Sequence, residues 1–285
     1  MERTDVTIDL NTNFKKSEML RHTVFLLSVV FATYPVTAHD YWLQPQRYFL
    51  SPDETTPVQL FVGDHFVSQS ERSFQGKKTT AFQIISKKQT LDLKATATDD
   101  QKPLCKITPT HSGNHLLAME RDWSHIELEA EKFKNYLQHE GLLNIVELRR
   151  TAGEENTVGR ERYRRYLKAL VQVGGRFDDT YRQKLGHRLE ILPQANPYVL
   201  DNGDRLAVSI LFEGKPLRGA QIAAYNRHGD ETKAQEARTD DDGVVHFTLD
   251  RSGLWLIRLV HMQRCNSVPD IEWESFWAAY SFQMM

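Results

Sequence analysis

The chain has 285 residues, with 36 lysines and arginines against 38 aspartates and glutamates, and its formal net charge is −2 at pH 7. The basic residues are dispersed, which argues against nucleic acid or an anionic membrane surface as a partner. The two cysteines, Cys105 and Cys265, either pair in an oxidising compartment or stay free, and no Cys-x-x-Cys pair supports a thioredoxin-like role or a structural zinc knuckle.

Residues 1–38 have the pattern of an export signal. Basic residues precede an apolar run over residues 24–32, and two small residues, Val36 and Ala38, occupy the third and first positions before the expected cut. The apolar run is well short of the roughly 20 residues that span a bilayer as a helix, so we expect cleavage rather than a lasting membrane span. Translation starts at Met1 or at Met19. We therefore expect a periplasmic or secreted protein.

Cleavage after Ala38 gives a mature chain that begins with His39, where a free α-amino group lies beside an imidazole. These two nitrogens can chelate one metal ion, and both lose their protons near neutral pH at little cost when a metal arrives. Nitrogen ligands of this kind suit copper, nickel, cobalt and zinc rather than calcium or magnesium. The mature terminus therefore predicts a transition-metal ligand.

After the signal, about 250 residues remain, enough for two domains of ordinary size. Residues 39–123 contain short β-rich runs separated by turn residues, the pattern of an N-terminal β-sandwich. Over residues 124–175 apolar residues recur at three- and four-residue steps, as at Tyr166 and Leu170, which predicts helices. Residues 176–285 return to strands at regular spacing, which predicts a second antiparallel sandwich. We expect a mainly β protein with two Ig-like or prealbumin-like sandwich domains joined by a helical insertion.

The C-terminal segments resemble the prealbumin-type or carboxypeptidase-regulatory-like sandwich. The resemblance is carried, in order, by GKPLRGA (214–220), TDDDG (239–243) and GLW (253–255). The glycines allow tight turns, and the aspartates before Gly243 cap a hairpin through bonds to backbone amides. Those aspartates could also hold calcium, but a turn is the favoured interpretation.

Over residues 39–285 the chain resembles one bacterial family, domain-of-unknown-function family 4198, which is described as a periplasmic component of cobalt or nickel uptake. The ordered set of segments that carries the resemblance is HDYWLQP (39–45), GDHF (63–66), FKNYLQHEGL (133–142), RYRRYLKAL (162–170), LEILP (189–193) and WLIRLVH (255–261). The resemblance implies an exported β protein that captures nickel, cobalt or copper for uptake or buffering, with a membrane metal transporter as a partner.

The resemblance also implies three histidine ligands: His39 after the signal, His65 in the GDHF turn and His261 at the end of a core strand. In this chain an extra residue, Asp64, separates Gly63 from His65. Three imidazoles and the terminal amine would form a nitrogen-rich site of the kind that binds a divalent transition metal.

Two other functions remain open at this point: a copper-dependent oxidative enzyme that uses His39, and a metal-free carbohydrate- or protein-binding sandwich. We favour a protein that is not an enzyme. The sequence lacks a Gly-x-Ser-x-Gly elbow, a His-Glu-x-x-His helix and a phosphate loop, so hydrolytic and nucleotide chemistry have no starting motif. A further pair, His111 and His115, lies on strand and turn sequence and is a candidate accessory metal site.

Overall fold

The computed structural model describes residues 39–285, so the predicted signal peptide and its cleavage site lie outside the described residues. The fold is mainly β, as predicted from the sequence. In chain order the strands are β1 (Asp40–Pro45), β2 (Phe49–Leu50), β3 (Thr56–Asp64), β4 (Val67–Arg72), β5 (Thr79–Ser86), β6 (Thr90–Asp92), β7 (Cys105–Ile107), β8 (Gly113–Leu128), β9 (Gly159–Val173), β10 (Leu189–Pro193), β11 (Arg205–Phe212), β12 (Lys215–Pro216), β13 (Gln221–His228), β14 (Glu231–Arg238), β15 (Val244–Thr248), β16 (Gly253–Arg264) and β17 (Trp273–Met284). Two α-helices, α1 (Ala130–His139) and α2 (Leu143–Thr151), lie between β8 and β9 in this part of the chain.

A nine-stranded sheet forms the centre of the fold. Its strand order is β14-β13-β16-β17-β9-β8-β5-β6, and β2 pairs beside β9. The pairs β17–β9 and β2–β9 are parallel, and the others in this sheet are antiparallel. Strands from both predicted sandwich segments, 39–123 and 176–285, therefore hydrogen-bond into one continuous sheet.

A smaller sheet packs on each face of the nine-stranded sheet, which gives the sandwich-like arrangement. On one face, β10, β11, β12 and β15 form a four-stranded sheet, and the buried cluster there includes Phe247 and Ile257. On the other face, β1, β3, β4 and β7 form a second four-stranded sheet, whose Leu60 lies in one buried cluster with Leu167. The inner strands of the large sheet are consequently buried on both faces, where apolar side chains gain the most from exclusion of water.

The predicted helical segment 124–175 contains α1 and α2, but its residues 124–128 belong to β8 and its residues 159–173 form β9, so the prediction of helix is wrong there. Leu167 and Leu170 point to opposite faces of β9, and both are buried, because each face is covered by another sheet. In a strand that is buried on both faces, apolar residues can recur at three- and four-residue steps just as they do in a helix. Periodicity alone could therefore not distinguish the two.

Cys105 and Cys265 are both buried and do not form a disulfide, which is one of the two states that the sequence allowed. Burial raises the pKa of the Cys105 thiol to about 12, which makes this cysteine unreactive at neutral pH. Within the described residues, neither helix has the length and apolar character needed to span a membrane.

Candidate metal centre

The β3–β4 hairpin turns tightly at His65 and Phe66. Both residues have left-handed backbone conformations, with φ of 49° and 62°, as a two-residue type I′ turn requires. Asn-Gly is the preferred pair for such a turn, because other side chains are strained at positive φ. Gly63, the residue before Asp64, has no space for a side chain, since a Cβ atom would lie 1.9 Å from the Val67 carbonyl oxygen. His65 and Phe66 are thus two residues that the backbone of this turn disfavours.

Core packing accounts for the phenylalanine at position 66. Its side chain is fully buried and packs edge-on against Trp42, with ring centroids 5.2 Å apart. The Phe66 carbonyl accepts a hydrogen bond from Arg227 Nη1 at 3.2 Å. Phe66 thus anchors the turn to the core, whereas the side chain of His65 remains 59% exposed. Packing does not account for a histidine at position 65.

Helix α1 brings a second histidine to the same place. Its buried face, which includes Phe133 and Leu137, packs against the sheet, and the helix ends at His139. Gly141 then adopts a φ of 69°, and the Leu142 N–H bonds back to the Leu137 carbonyl at 2.8 Å, which closes the helix end. The end of α1 places His139 beside the β3–β4 turn, with its ring 5.5 Å from that of His65, centroid to centroid.

Asp64, His65 and His139 form a cluster with the composition of a metal site. The ligand atoms of these three residues all lie within 4.8 Å of one another. Asp64 Oδ1 lies 3.8 Å from His65 Nε2 and 3.6 Å from His139 Nε2, and the two imidazole rings have centroids 5.5 Å apart. Two atoms bound to one ion at about 2 Å each lie about 3–4 Å apart, so small side-chain rotations are enough to bring these atoms onto one ion.

A buried ion triad lies beside this cluster. Arg258 Nε donates to Asp40 Oδ1 at 2.6 Å, and Arg258 Nη1 donates to Glu140 Oε2 at 2.6 Å. Burial raises the pKa of Asp40 and of Glu140 against the opposing effect of Arg258. Burial alone would lower the pKa of Arg258, but the two carboxylates together raise it. When both carboxylates are ionised, they leave surplus negative charge around the one guanidinium, so a nearby cation would favour these ionised forms against the effect of burial.

The two histidines of the cluster and the three residues of the triad line one cavity of about 130 Å³. Its walls also include Tyr225 and Glu236 from the β13–β14 hairpin. The Tyr225 ring lies 5.8 Å from the His65 ring, centroid to centroid. The cavity is small and polar, which suits an ion with a few water molecules better than an organic ligand.

The structure brings only one of the three sequence-predicted ligands, His65, into this cluster. His39 lines a different cavity with Tyr41 and Trp277, and its carbonyl lies 3.5 Å from Arg165 Nη2, a donor. However, His39 directly precedes Asp40, which pairs with Gly63, so the start of the predicted mature chain lies at the strand end that carries Asp64.

His261 lies apart from the cluster. Its ring packs against Phe212, with centroids 4.3 Å apart, and burial lowers its pKa to about 4. The structure places His139, which the sequence analysis did not select, with His65 instead. The segment FKNYLQHEGL contained the signal that could have identified it, a histidine directly before the Glu-Gly helix end.

A family model confirms the resemblance seen in the sequence. Residues 36–263 match the model described as "Domain of unknown function (DUF4198)". The chain belongs to this family. The description names no activity, so the cobalt or nickel uptake role expected for this DUF4198 protein stays a prediction. No curated protein sequence matches the chain.

Solved structures similar to this DUF4198 chain include two of Salmonella alpha-2-macroglobulin, one a mutant and one reacted with methylamine. Both are 10% identical, with TM-scores of 0.20 and 0.19, and the match covers 87% of this chain and 15% of theirs. Escherichia coli alpha-2-macroglobulin activated by porcine elastase is 8% identical with a TM-score of 0.19, covering 87% and 20%. The chain thus spans a fifth or less of the length of these proteins.

Proposed function

We propose that the protein binds a divalent transition-metal ion, nickel, cobalt or copper, in the periplasm through Asp64, His65 and His139. The convergence of these three ligand atoms within 4.8 Å of one another is the observation that carries the proposal. Two imidazoles and one carboxylate match the ligand preferences of these metals.

The strained turn supports this function. A histidine at positive φ costs stability, and the side chain that the turn buries in the core is that of Phe66, not that of His65. Residues kept in unfavourable backbone conformations cluster at ligand sites, where the surrounding structure holds them in place. Metal binding supplies a reason for the histidine at position 65.

The charge distribution also supports it. Asp64 adds a third carboxylate to those of Asp40 and Glu140, against the single guanidinium of Arg258. A divalent cation would offset the surplus negative charge and favour the ionised form of each carboxylate.

The site suits reversible binding. The side chains of Asp64, His65 and His139 are 29%, 59% and 39% exposed, so an ion can enter and leave without opening the fold. We propose that the protein captures the metal for a membrane transporter or holds it as a buffer. In the mature chain, the amine and imidazole of His39 would add ligands from the neighbouring strand end.

The proposal is tested by measuring nickel, cobalt and copper affinity of the mature protein by calorimetry or chelator competition. We expect His65→Ala and His139→Ala each to weaken binding at least tenfold, and His228→Ala, a change at an exposed histidine outside the cluster, to leave it unchanged. An added residue before His39 reports whether the terminus contributes. Equal affinities for the three variants, or no binding by the unaltered protein, would overturn the proposal.

A further inference from the structure

We propose that His111 and His115 form a second transition-metal site, which shares no residue with the Asp64–His65–His139 cluster. His115 lies near the start of β8, and His111 lies in the loop just before it. The two imidazole rings are in contact, with centroids 4.8 Å apart. With a metal–nitrogen bond of about 2 Å, two rings bound to one ion have centroids no more than about 6 Å apart, so this pair can share an ion.

The hydrogen bond made by His115 leaves its other nitrogen available as a ligand. His115 Nδ1 lies 3.3 Å from the Gly113 carbonyl oxygen, which can only accept a hydrogen bond, so Nδ1 carries the proton. The lone pair of the neutral ring is then on Nε2. Metal-ligating histidines commonly have this arrangement, in which a backbone carbonyl fixes the ring through the nitrogen that does not bind the metal.

His115 Nε2 has no partner among the described residues. The residue is only 3% exposed, and its Nε2 atom is buried without a hydrogen-bond partner. A buried nitrogen acceptor without a partner costs free energy, and native structures rarely keep one without a function or a bound ion or water. An ion bound at Nε2 would remove that cost.

The neighbouring side chains provide the rest of the site. A cavity of about 190 Å³ is lined by His115 and Ser86 together with apolar residues that include Ile84 and Leu93. His111 Nε2 is held 3.0 Å from Ser86 Oγ, which keeps this half-buried ring against His115. The cavity has space for the water molecules that complete the coordination of an ion with two protein ligands. The ligand class is therefore an imidazole-binding ion such as zinc or copper.

Two charged groups of opposite sign lie near the pair. Asp178 interacts electrostatically with His115 and adds negative charge. Lys106 lines the cavity with an exposed side chain that can turn into solvent. The local charge therefore does not oppose a cation.

The experiment counts bound Zn²⁺ by equilibrium dialysis and metal analysis in a His65→Ala/His139→Ala variant with one extra residue before His39. This background removes the first site, so failure of the first proposal and failure of the second are distinguishable. We expect one equivalent of Zn²⁺ to remain, and the affinity to fall at least tenfold on adding His111→Ala or His115→Gln but not on adding His228→Ala.

His115 is buried, so circular dichroism checks the fold of its variant, and His111→Ala, a change in a loop, decides the outcome if His115→Gln does not fold. Histidine ¹⁵N NMR should show the Nε2 shift of His115 moving on addition of Zn²⁺. No Zn²⁺ bound in the background variant, or binding that persists unchanged with His111→Ala and His115→Gln, would overturn the second site.

Discussion

Replacing His65 by asparagine should make the metal-free protein more stable and weaken metal binding at the Asp64–His65–His139 cluster at least tenfold. His65 has a φ of 49° in a type I′ turn, where asparagine is favoured. The side chain of His65 is 59% exposed, so its removal loses little buried surface. An amide is a poor ligand for nickel or copper, and only Asp64 and His139 would remain of the cluster.

The expected gain follows from the backbone. A left-handed conformation costs a residue other than glycine, asparagine or aspartate roughly 1–2 kcal/mol, and asparagine recovers part of this. Loss of the ring contacts that His65 makes with His139 and Tyr225 offsets a few tenths of a kcal/mol at an exposed site. We therefore expect a net gain of about 0.5–1 kcal/mol, which for a domain of this size raises Tm by about 1–4 °C.

The assay is urea and thermal unfolding of the metal-free mature protein, followed by metal titration of the same samples. His228→Asn is the matched control, because His228 is an exposed histidine in regular strand conformation, and it should change stability by less than about 0.5 kcal/mol. A variant less stable than the unaltered protein by 1 kcal/mol or more would refute the argument from strain. Stability gained with metal affinity intact would instead refute the role of His65 as a ligand.

Two further predictions concern the core. Lys168 Nζ and Glu190 Oε1 form a buried pair 2.7 Å apart, so Lys168→Met should lower the free energy of unfolding by about 3–5 kcal/mol, and adding Glu190→Gln should restore part of it. Urea unfolding checks this, and a double variant less stable than Lys168→Met alone would contradict it. Burial lowers the pKa of His261 from 6.5 to about 4, so its neutral form stabilises the fold above pH 6.5, and that contribution is lost as the pH falls towards 4. We expect His261→Gln to remove about 2–3 kcal/mol of the stability difference between pH 7.5 and pH 4, measured by urea unfolding at both values, and an unchanged pH dependence would show that His261 does not titrate in this way.

The parts of the fold that follow from local pattern were predicted from the sequence. Alternating apolar residues and turn residues identified most strands, and α1 kept its helical period because only one of its faces is buried. β9 was mistaken for helix because sheets cover both of its faces. The sequence of a strand does not indicate which sheets pack against it.

The candidate site was predictable only in part for a similar reason. His65 was selected through the family resemblance, which the short GDHF segment carries within the sequence itself. His139 joins it through the packing of α1 on the sheet, a long-range contact that spacing does not reveal. His261 looked equivalent in sequence, but at the β16 position that it occupies the ring packs against Phe212 rather than the cluster.

The strongest reason to assign a function to the Asp64–His65–His139 cluster is that two independent destabilising features, backbone strain and buried charge, lie beside it. The turn holds His65 and Phe66 at positive φ, and the triad buries Asp40 and Glu140 on one guanidinium. Because Asp40 pairs with Gly63 and Glu140 follows His139, Arg258 fixes the strand end and the helix end that carry the donors. Backbone conformation alone would favour asparagine over histidine at position 65, and burial alone would favour apolar residues in the triad. Retaining both costs beside three convergent donor atoms is what a preorganised ion site requires.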